Sequence, residues 1–580
     1  MKGFSSQLAF LAGSLPVRRN VGQLLRLLAV LLVLITIYSI TFHYVMEFEG
    51  RGDEFSWFTG FYWTLTVMST LGFGDITFNS DLGRAFAMIV LITGLVSLLI
   101  IFPFTFIQFF WAPWLQAQRD AQAPRELPPG TSGHVILTAH EPVSEALLHK
   151  LMQYNVPHVM IVPTVNEALD LHDQGYAVMV GEPDSPETYH RARIEGAALV
   201  AATGDDEANT NAAFTVREIT EEVPIVTIAS RPASVDILEL AGSTDVLLLG
   251  EMLGHALARR ADASDAVVLT VGRLGQLRIA EITISRTPFA GLQIRDSGLS
   301  EQYGITIAGV WDRGDFHIAR AETVLGATAV AILVGTEAQL DALDRELMRH
   351  ATKRPGGHVL VIGGGRIGRA AADMLEQRGA LYRVLERDPA VCPTDDEVYI
   401  RGDASELQVL RQAGLMEAPT VIITTQDDDT NIYLTIYCRR LRPDVQIICR
   451  ATHERNVDTL HRAGADFVLS YASLGAGTIF NLLSSRDLLM VAEGLNLMRI
   501  PTPPGLVGRT IAGSGMRMRT GCSIVALTKD GETRVSPPPN TMLEKDMELV
   551  LIGTADAEGK LFECFGNDRN GGAGRVNRRP

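Results

Sequence analysis

Two glycine-containing segments of the chain could hold ligands through main-chain atoms. The first reads TLGFGD, Thr70 to Asp75, and it places Gly72 and Gly74 between bulky apolar residues. Glycine adopts left-handed backbone conformations readily, so it lets carbonyl directions alternate along an extended segment. A row of inward carbonyls, with the Thr70 hydroxyl below it, could replace the hydration shell of a cation. The first segment therefore predicts cation coordination by main-chain oxygens.

The second segment reads VIGGGRIG and predicts a nucleotide site. Gly363, Gly365 and Gly368 fit the G-x-G-x-x-G pattern between an apolar run that predicts a strand and a helical pattern. The first glycine allows a tight turn, the second lets a pyrophosphate approach, and the third lets helix and strand pack. The helix start, with Arg366 and Ile367, supplies amide donors for phosphates. The alternative is a Rossmann-like fold that binds no nucleotide.

Three charged residues follow the next two predicted strands. Glu386 lies 23 residues after Gly363, where an acid can bind the ribose diol. Its charge favours NAD(H) or an adenine nucleotide over a 2′-phosphorylated one, and the neighbouring Arg387 tempers that preference. Asp403, in RGDA, is predicted near the adenine end. The predicted ligand is NAD or an adenine nucleotide.

Apolar segments surround the first glycine segment. Leu27–Met46 and Ala85–Trp114 contain no Asp, Glu, Lys or Arg, and each is long enough to cross a bilayer as a helix. Between them, Trp57–Ser69 predicts a half-length helix with Ser56 able to cap it. Such a helix and an extended segment are tolerated at membrane depth only inside protein or beside water. Gly94 is either a bend point for gating or a close helix contact.

The charges around these spans predict their orientation. Arg18, Arg19 and Arg26 precede the first span, Arg119 and Arg125 follow the second, and the loop between is acidic. The positive-inside rule places both termini in the cytoplasm. The formal net charge of −16 argues against nucleic-acid binding. Five cysteines without C-x-x-C spacing predict reduced thiols rather than a zinc site.

The remaining chain is a duplication. GHVILTA at Gly133 recurs as GHVLVIG at Gly357, and TGDDEANTNAAF at Thr203 recurs as TQDDDTNIYLTI at Thr425. Alternating strand and helix patterns predict a parallel, doubly wound sheet in each copy, followed by a small α+β lobe. The predicted boundaries are 1–20 for a cytoplasmic N-terminus, 21–115 for the domain of the two apolar spans (spans about 24–46 and 84–112, half-length helix 57–69, first glycine segment 70–75), 116–132 for a linker, 133–262 and 263–350 for the first N- and C-lobes, 356–487 and 488–566 for the second, and 567–580 for a disordered tail.

The first copy lacks the glycine pattern. Ala139, His140, Glu141 and Pro142 stand in place of the glycine loop, so we expect no dinucleotide there, or one bound unusually. Acidic runs at 205–207 and 427–429 favour helix N-termini electrostatically, and a divalent cation such as calcium is the alternative. The histidines show no paired ligand spacing, and the metal sites stay unknown.

The segment TLGFGD resembles the potassium-channel selectivity filter, with Leu71 in place of the usual valine and Phe73 in place of the usual tyrosine. The order span, pore helix, filter, span resembles the two-transmembrane pore architecture over residues 20–115. The resemblance implies that Thr70 to Asp75 select K⁺ as the permeant ion through main-chain carbonyls. It also implies a homotetramer in the lipid bilayer, since four copies surround such a pore.

Residues 133–565 resemble tandem RCK domains (regulators of K⁺ conductance), which are related to the nucleotide-binding subunits of bacterial potassium uptake systems. GHVLVIGGGRIG, RGDA and TTQDDDTN carry this resemblance. The whole chain resembles a prokaryotic RCK-gated channel of the multi-ligand gated, GsuK-like type. The resemblance implies a ligand-gated channel of the inner (plasma) membrane with no catalytic step. The alternatives are a subunit or regulator of an active potassium uptake system and, more remotely, a membrane-tethered NAD-dependent oxidoreductase.

Overall fold

The computed structural model describes residues 15–111, 124–261, 267–284, 287–312, 315–326, 329–350, 357–392, 398–483, 488–492 and 495–565. They form two compact units, divided between Ala123 and Pro124. Residues 1–14 of the predicted N-terminal segment, the linker residues 116–123 and the predicted disordered tail lie outside the described residues.

The first unit is helical. Its elements are α1 (Leu15–Phe48), α2 (Trp57–Met68) and α3 (Asp81–Gly94), and the last continues through π-helical turns at Leu95–Ile101 and Ile107–Trp111 with an α-helical Phe102–Phe106 between them. Two stretches, Arg26–Phe48 and Asp81–Thr105, are long and apolar enough to cross a membrane. They agree with the two predicted spans.

The helices α2 and α3 are both preceded by a serine, but only one of these serines caps its helix. Ser80 caps α3, because its Oγ accepts the Gly83 N–H at 3.1 Å. Ser56 occupies the corresponding position before α2, but its hydroxyl lies 3.0 Å from Thr59 Oγ1 and makes no capping bond. The predicted side-chain cap at Ser56 is therefore wrong, since a neighbouring hydroxyl takes its place as the partner.

Aromatic rings hold the short helix α2 against both long helices. Trp63 is buried and lies 5.1 Å from the ring of Phe42 on α1 and 5.6 Å from that of Phe86 on α3. Phe78 closes the cluster at 5.1 Å from Trp63. Large buried rings contribute much of the packing energy in such a core, so α2 is fixed between α1 and α3.

The second unit contains two parallel sheets, as the sequence predicts. The first has β3-β2-β1-β4-β5-β6 order and the second β14-β13-β12-β15-β16-β17 order, with every neighbouring pair parallel. The first N-lobe comprises β1 (Val135–Leu137), α4 (Pro142–Gln153), β2 (His158–Val162), α5 (Val165–Asp173), β3 (Val178–Val180), α6 (Pro186–Arg191), β4 (Leu199–Ala202), α7 (Asp206–Ile219), β5 (Ile225–Ile228), α8 (Val235–Leu240), β6 (Asp245–Leu247) and α9 (Leu249–Ala261).

The second N-lobe repeats the plan of the first, and each N-lobe is followed by a C-lobe. The first C-lobe comprises β7 (Val268–Leu274), β8 (Leu277–Thr283), α10 (Leu299–Tyr303), β9 (Thr306–Asp312), β10 (Asp315–Ile318), β11 (Val330–Thr336) and α11 (Glu337–His350). The second N-lobe comprises β12 (Val359–Ile362), α12 (Arg366–Gln377), β13 (Tyr382–Glu386), β14 (Tyr399–Arg401), α13 (Leu407–Gln412), β15 (Thr420–Ile423), α14 (Asp428–Leu441), β16 (Gln446–Ala451), α15 (Val457–Ala463), β17 (Phe467–Ser470) and α16 (Tyr471–Leu483). The second C-lobe comprises β18 (Leu488–Ala492), β19 (Leu495–Pro501), α17 (Met516–Thr520), β20 (Ser523–Lys529), β21 (Glu532–Val535), β22 (Glu548–Thr554) and α18 (Ala555–Phe565).

The two copies exchange their last N-lobe helices. Leu253 and Leu257 of α9 share a buried core with the second sheet, and a Cβ on Gly254 would lie 2.5 Å from the Ile367 carbonyl. In return α16 packs on α4, where a Cβ on Gly475 would lie 2.8 Å from Val143. Small residues let these helices approach closely, so the two N-lobes are interlocked.

The two C-lobes share a core as well. Each is an antiparallel five-stranded sheet, in the orders β10-β9-β11-β8-β7 and β18-β19-β22-β20-β21. Buried side chains of both sheets form one cluster, including Leu277, Ile332, Val525 and Ile552. The repeat therefore folds as an intertwined pair rather than as two independent domains.

Candidate functional site

The TLGFGD segment has an alternating backbone. Thr70, Gly72 and Gly74 have φ values of 63°, 44° and 76°, whereas Leu71 and Phe73 between them have negative φ. Such alternation turns successive carbonyls toward one side, which a cation site made of main-chain oxygens requires. Nothing lies within 4 Å of the Cβ position of Gly72 or Gly74, so the space beside these two glycines is open within one chain.

The C-terminal end of helix α2 holds the Thr70 end of this segment by main-chain hydrogen bonds. The Thr66 carbonyl accepts the Leu71 N–H at 2.9 Å and the Gly72 N–H at 3.2 Å, and the Val67 carbonyl accepts that of Thr70 at 3.0 Å. These bonds use carbonyls that a helix end leaves unpaired. The position of the filter segment therefore follows the position of α2.

Two side-chain contacts hold the Asp75 end of this segment and the loop that follows it. Neither contact was identified from the sequence. Tyr62 donates its hydroxyl to Asp75 Oδ2 at 3.0 Å. Glu49 accepts from the Ser80 N–H at 2.8 Å and from the Asn79 N–H at 3.1 Å, which joins the end of α1 to the start of α3. An aromatic donor 13 residues before the Asp was the available sequence signal for the first contact.

Gly94 lies where α3 crosses the end of α2. A Cβ there would lie 2.4 Å from Met68 Cα, so the residue permits close helix packing, and the π-helical turn begins at the next residue. Both readings of Gly94 are compatible with this position, and its role as a gating bend stays a prediction.

The second glycine segment forms one wall of a cavity of about 390 Å³ at the carboxyl edge of the second sheet. Five of the predicted residues line it, namely Gly363, Gly365, Glu386, Arg387 and Asp403. Gly363 has φ of 100°, and the Cβ position of Gly365 is open to the cavity. The loop thus leaves room for a pyrophosphate at the start of α12, and the residues present fit a dinucleotide.

Glu386 is held in place by main-chain donors. Its Oε2 accepts the Gly364 N–H at 2.5 Å, and its Oε1 accepts the N–H groups of Arg387 at 2.7 Å and Asp388 at 2.8 Å. These bonds tie the end of β13 to the glycine loop. The carboxylate therefore lies at the cavity wall in the position expected for a ribose contact.

Two further carboxylates at the cavity are kept ionised. Hydrogen bonds from Ser405 hold the pKa of the Asp403 carboxyl below its ordinary value, and Arg387 adds to the effect at 3.6 Å. Hydrogen bonds from Thr430 likewise lower the pKa of Asp427. Glu386, Asp403 and Asp427 thus give the cavity lining three carboxylates, which disfavours an additional phosphate beside them.

Three predicted residues face elsewhere. Arg366 donates to the Ser230 carbonyl of the first copy at 2.8 Å, and Ile367 is buried against α9. Gly368 supports the loop, since a Cβ there would lie 1.8 Å from the Gly363 carbonyl oxygen. Their contribution to a ligand comes through the main chain of α12, and their binding roles stay predictions.

Sequence reasoning missed the other half of the cavity. The strand end after β15 and the first turns of α14 supply a second wall, made of Thr424, Thr425, Gln426, Asp427, Thr430 and Tyr433. The motif TTQDDDTN was visible, but only the sheet order shows that β15 lies beside β12.

The first copy has a different loop at the same place. Glu141 precedes α4, Pro142 begins it, and Ser144 Oγ lies 2.5 Å from Thr203 Oγ1 where the second copy has Gly368. Pro142 also has no main-chain N–H to offer at the helix start, where a phosphate would need donors. The prediction that this copy lacks an ordinary dinucleotide site is compatible with this loop and stays a prediction.

The acidic runs begin helices, as predicted. Asp205 accepts the Ala208 N–H at 2.7 Å at the start of α7, and Asp427 accepts the Thr430 N–H at 3.0 Å at the start of α14. Within the described residues, no group of three or more His, Cys, Asp or Glu is placed to hold a metal ion. The calcium alternative stays a prediction.

Comparisons with known proteins agree with this architecture. An ion-channel family model matches residues 28–112, a TrkA-N domain model matches 135–249 and 359–471, and a TrkA-C domain model matches 497–566. The chain is 25% identical over 227 residues to potassium channel protein 1 of Methanocaldococcus jannaschii, covering 37% of this chain and 68% of that protein. It is also 25% identical over 227 residues to the Trk system potassium uptake protein TrkA of Streptomyces coelicolor, covering 37% of this chain and 99% of that protein.

Solved structures of one channel match almost the whole chain. The GsuK channel bound to NAD is 38% identical, with a TM-score of 0.56, and the match covers 94% of this chain and 99% of that one. It includes the membrane unit and both copies of the repeat. The chain therefore belongs to the family of the GsuK channel, in which a helical ion-channel region is joined to tandem Rossmann-like TrkA-N domains.

Proposed function

We propose that the chain is a potassium-selective channel whose opening is controlled by NAD or an adenine nucleotide at the second N-lobe. The observation that carries the proposal is the alternating backbone of Thr70 to Asp75 between two helices long enough to span a membrane. The relatives named as potassium channels support K⁺ as the permeant ion. The neighbour solved with NAD supports the nucleotide.

The working unit of this proposal is a homotetramer in the inner membrane. Leu71 and Phe73 of the filter segment are 63% and 66% exposed in one chain, and four chains around an axis would cover them. Phe214 on α7 and Ile436 on α14 stand at equivalent positions of the two copies, and both are exposed. A ring of eight N-lobes would bury such equivalent apolar positions repeatedly. The arginines that flank the spans support cytoplasmic termini.

Gating in this proposal needs only modest energy at each site. Moving a pore from about 1% to about 99% open requires a differential affinity of about 5.5 kcal/mol in total. Four equivalent sites would each supply about 1.4 kcal/mol, which is roughly a tenfold preference for one ring shape. The second N-lobe would bind the nucleotide through its glycine loop, and the lobe angles would shift.

The covalent path from lobe to pore is short. The segment 116–133 joins the second span to the first N-lobe, and its end is attached to that lobe. The Pro124 carbonyl accepts the Val180 N–H at 2.8 Å, and the Arg191 carbonyl accepts the Leu127 N–H at 3.0 Å. A shift of the first N-lobe would therefore pull directly on the preceding segment.

The pore is tested by rubidium flux into liposomes that contain the purified protein. Gly74→Ala places a side chain at φ of 76°, so the filter backbone must rearrange and the flux should be lost. Gly50→Ala is the matched control, since Gly50 has φ of 72° and open space in the outer loop. Flux that persists in Gly74→Ala at the level of the Gly50→Ala control would refute the filter assignment.

The nucleotide site is tested by recording single channels while NAD, ADP and ATP are varied on the cytoplasmic face. Gly365→Asp puts a carboxylate at the phosphate position, so the response to nucleotide should disappear while conduction persists. Gly477→Asp introduces the same charge at another glycine whose Cβ position is open. An unchanged nucleotide response in Gly365→Asp would contradict the assignment.

The alternative of a subunit for an active uptake system is less well supported. The match to the Streptomyces coelicolor TrkA protein covers 37% of this chain, whereas residues 28–112, outside the TrkA-like domains, match an ion-channel family model. Passive flux driven only by the potassium gradient would separate the two functions.

A further inference from the structure

A polar contact joins the two copies of the repeat at the glycine loop itself. Arg366 is the first residue of α12 and directly follows Gly365. Its Nη1 donates to the main-chain carbonyl of Ser230, in the first copy, at 2.8 Å. The cavity lies in the second N-lobe, whereas the segment that leads to the membrane unit is attached to the first. A residue at the start of the glycine-loop helix therefore touches the copy through which a gating signal has to pass.

The acceptor of this bond is held firmly in the first copy. The Ser230 N–H donates to Oδ1 of the buried Asp206 at 2.6 Å, and the Ser234 hydroxyl donates to its Oδ2 at 2.5 Å. Arg231 lies 3.5 Å from the same carboxylate, which belongs to the first residue of α7. Hydrogen bonds to a charged group are stronger than those between neutral groups. Because Ser230 is fixed in this way, a displacement of Arg366 acts on the start of α7 as well.

The first copy cannot return this contact. Pro142 occupies the position of Arg366 in the first copy, 366 − 142 = 224 residues earlier, and it begins α4. Proline has neither a side-chain donor nor a main-chain N–H. In the second copy Thr452 corresponds to Ser230, and its carbonyl accepts the Ala472 N–H at 3.3 Å. The arginine bridge therefore breaks the symmetry of the repeat, and it starts from the copy that has the glycine loop.

The bridge can change while the two copies stay packed. The side chain of Arg366 is exposed, and the cavity is lined by Gly363 and Gly365 but not by Arg366. The contact between α12 and α9 beside it is apolar, since Ile367 shares a buried core with Leu253. Breaking one exposed hydrogen bond costs much less free energy than separating buried apolar surfaces. A small movement of the start of α12 is therefore enough to make or break the bond.

We propose that Arg366 is a positioning residue that transmits nucleotide occupancy from the second N-lobe to the first through its bond to the Ser230 carbonyl. The proposal rests on the nucleotide gating proposed above. Phosphates at the start of α12 attract the N–H groups of the loop and the first helical turn, which shifts the main chain of Arg366. A ligand shifts a conformational equilibrium only by its differential affinity for the two states. The bridge supplies such a difference, because the loop position and the angle between the N-lobes must agree for the bond to form.

The test measures nucleotide binding and gating in the same full-length variants. Arg366→Ala removes the bond but keeps the glycines, so NAD affinity in calorimetric titration should stay within about threefold of the wild type. In single-channel recordings, the change in the open-to-closed ratio between zero and saturating NAD should shrink by about tenfold or more, since each chain of the proposed tetramer loses one hydrogen bond. Arg366→Lys keeps a donor and should restore part of the response.

The matched control is Arg462→Ala. Arg462 is an exposed arginine of α15 that donates to Thr459 in its own copy, at 3.0 Å. Its replacement removes the same charge from the second N-lobe without touching the bridge. Both NAD affinity and the gating response of this variant should match those of the wild type.

Hydrogen–deuterium exchange separates transmission from a merely structural role. The Ser230 N–H is held by Asp206, so exchange of the segment 228–234 reports movement of the acceptor loop. Addition of NAD should change this exchange in the wild type and leave it unchanged in Arg366→Ala. A structural role alone would alter the exchange of the variant equally with and without NAD, and that result would count against the proposal.

Two further results would overturn the inference. One is an Arg366→Ala channel with the wild-type response to NAD, which would place the transmission in the packed helices α9 and α12. The other is a loss of NAD affinity by more than about tenfold in Arg366→Ala with an unchanged response at saturation, which would make Arg366 a ligand contact. A wild-type channel that responds to no nucleotide would refute the proposed nucleotide gating and this inference with it.

Discussion

The two N-lobes share a framework but differ in the loop that could bind a ligand. In each, an asparagine of the helix after the fourth strand bridges two strand ends: Asn209 Nδ2 donates to the Ile228 carbonyl at 2.9 Å, and Asn431 Nδ2 donates to that of Arg450 at 3.2 Å. In each, an arginine of the same helix binds the loop before the last strand of the sheet: Arg217 and Arg439 donate to the carbonyls of Gly242 and Gly464.

Buried aspartates extend the likeness. Asp206 accepts the Ser230 N–H at 2.6 Å and the Ser234 hydroxyl at 2.5 Å. Asp428 accepts the Thr452 N–H at 2.7 Å and the Asn456 amide at 2.7 Å. These aspartates connect a helix start to the next loop, so the acidic runs serve the fold in both copies.

The loops after the first strands differ completely. The second copy has glycines and Glu386, while the first has Ala139 to Pro142 and, at the place of Glu386, Val162 at the end of β2. The difference shows that the scaffold and the ligand site are separable. One copy keeps the whole hydrogen-bonded frame without the features that admit a phosphate.

The largest expected effect comes from Gly368→Ala. The new Cβ would lie 1.8 Å from the Gly363 carbonyl oxygen, so the glycine loop must move. Overpacking of this kind costs about 1–3 kcal/mol of folding stability, and nucleotide binding should be lost. Calorimetric titration with NAD and thermal unfolding of the purified channel measure the two effects.

The matched change in the first copy is Ser144→Ala. It removes the bond to Thr203 at a cost of about 1 kcal/mol and should leave NAD binding unchanged. Equal loss of binding in both variants would show that the first loop also belongs to the nucleotide site, and the contrast between the copies would fail.

A smaller effect is expected for Glu386→Gln. The carboxylate accepts three main-chain N–H groups and faces the cavity, and hydrogen bonds to a charged group contribute about 1.5–3 kcal/mol. Affinity for NAD should fall by about 10- to 100-fold. Glu141→Gln in the first loop makes the same chemical change and should alter affinity by less than about twofold. Retained affinity in Glu386→Gln would remove the ribose assignment.

The comparison also shows what a sequence can predict. The repeat at Gly133 and Gly357 and the parallel sheets follow from periodicity and spacing, and the structure confirms them. The two predicted spans coincide with helices that are long and apolar enough to cross a membrane. The sixth strand of the second sheet, Phe467–Ser470, does not follow from periodicity, because AGADFVLS is short and half-polar. The exchange of α9 and α16 between the copies was missed because a helix pattern shows which face is apolar, not which sheet it covers.

The candidate site was predictable only where its residues lie close together in the sequence. Gly363, Gly365 and Glu386 are identified by spacing within one strand–helix unit. Thr430 and Tyr433 lie more than 60 residues after the glycine loop and reach the cavity only because β15 pairs with β12. Contacts such as Tyr62 to Asp75 depend on side-chain direction, which spacing does not fix.

The dependence of folding stability on acid pH should depend on Asp206, one of the buried aspartates of the shared frame. Burial opposes ionisation of Asp206, but hydrogen bonds from Ser234, Ser230 and Arg231 outweigh it and hold its pKa below the ordinary value. A lowered pKa stabilises the fold above the unfolded value of about 3.9 and loses that contribution as pH falls through the folded pKa. Asp206→Asn should reduce stability at pH 7 by about 1–3 kcal/mol.

The same variant should lose less stability than the wild type as the pH falls below about 4, since it has no carboxylate to protonate. Thermal unfolding of the purified channel between pH 7 and 3 measures the difference. Parallel curves for the wild type and Asp206→Asn would show that this carboxylate is not linked to the fold.

The smallest expected effect concerns Asp205 and Asp427, the residues that cap α7 and α14. It distinguishes a role in the shared scaffold from a role in nucleotide binding. Asp205→Ala and Asp427→Ala each remove an acceptor for a first-turn N–H, so each should cost about 1 kcal/mol of stability. Only Asp427 lines the nucleotide cavity, so only its replacement should also change NAD affinity, by a few-fold at most. If both substitutions reduce stability equally and only Asp427→Ala changes NAD affinity, the two copies share the scaffold but only the second copy forms the nucleotide site. An equal change of affinity in both variants would mean that the two copies act on the nucleotide together.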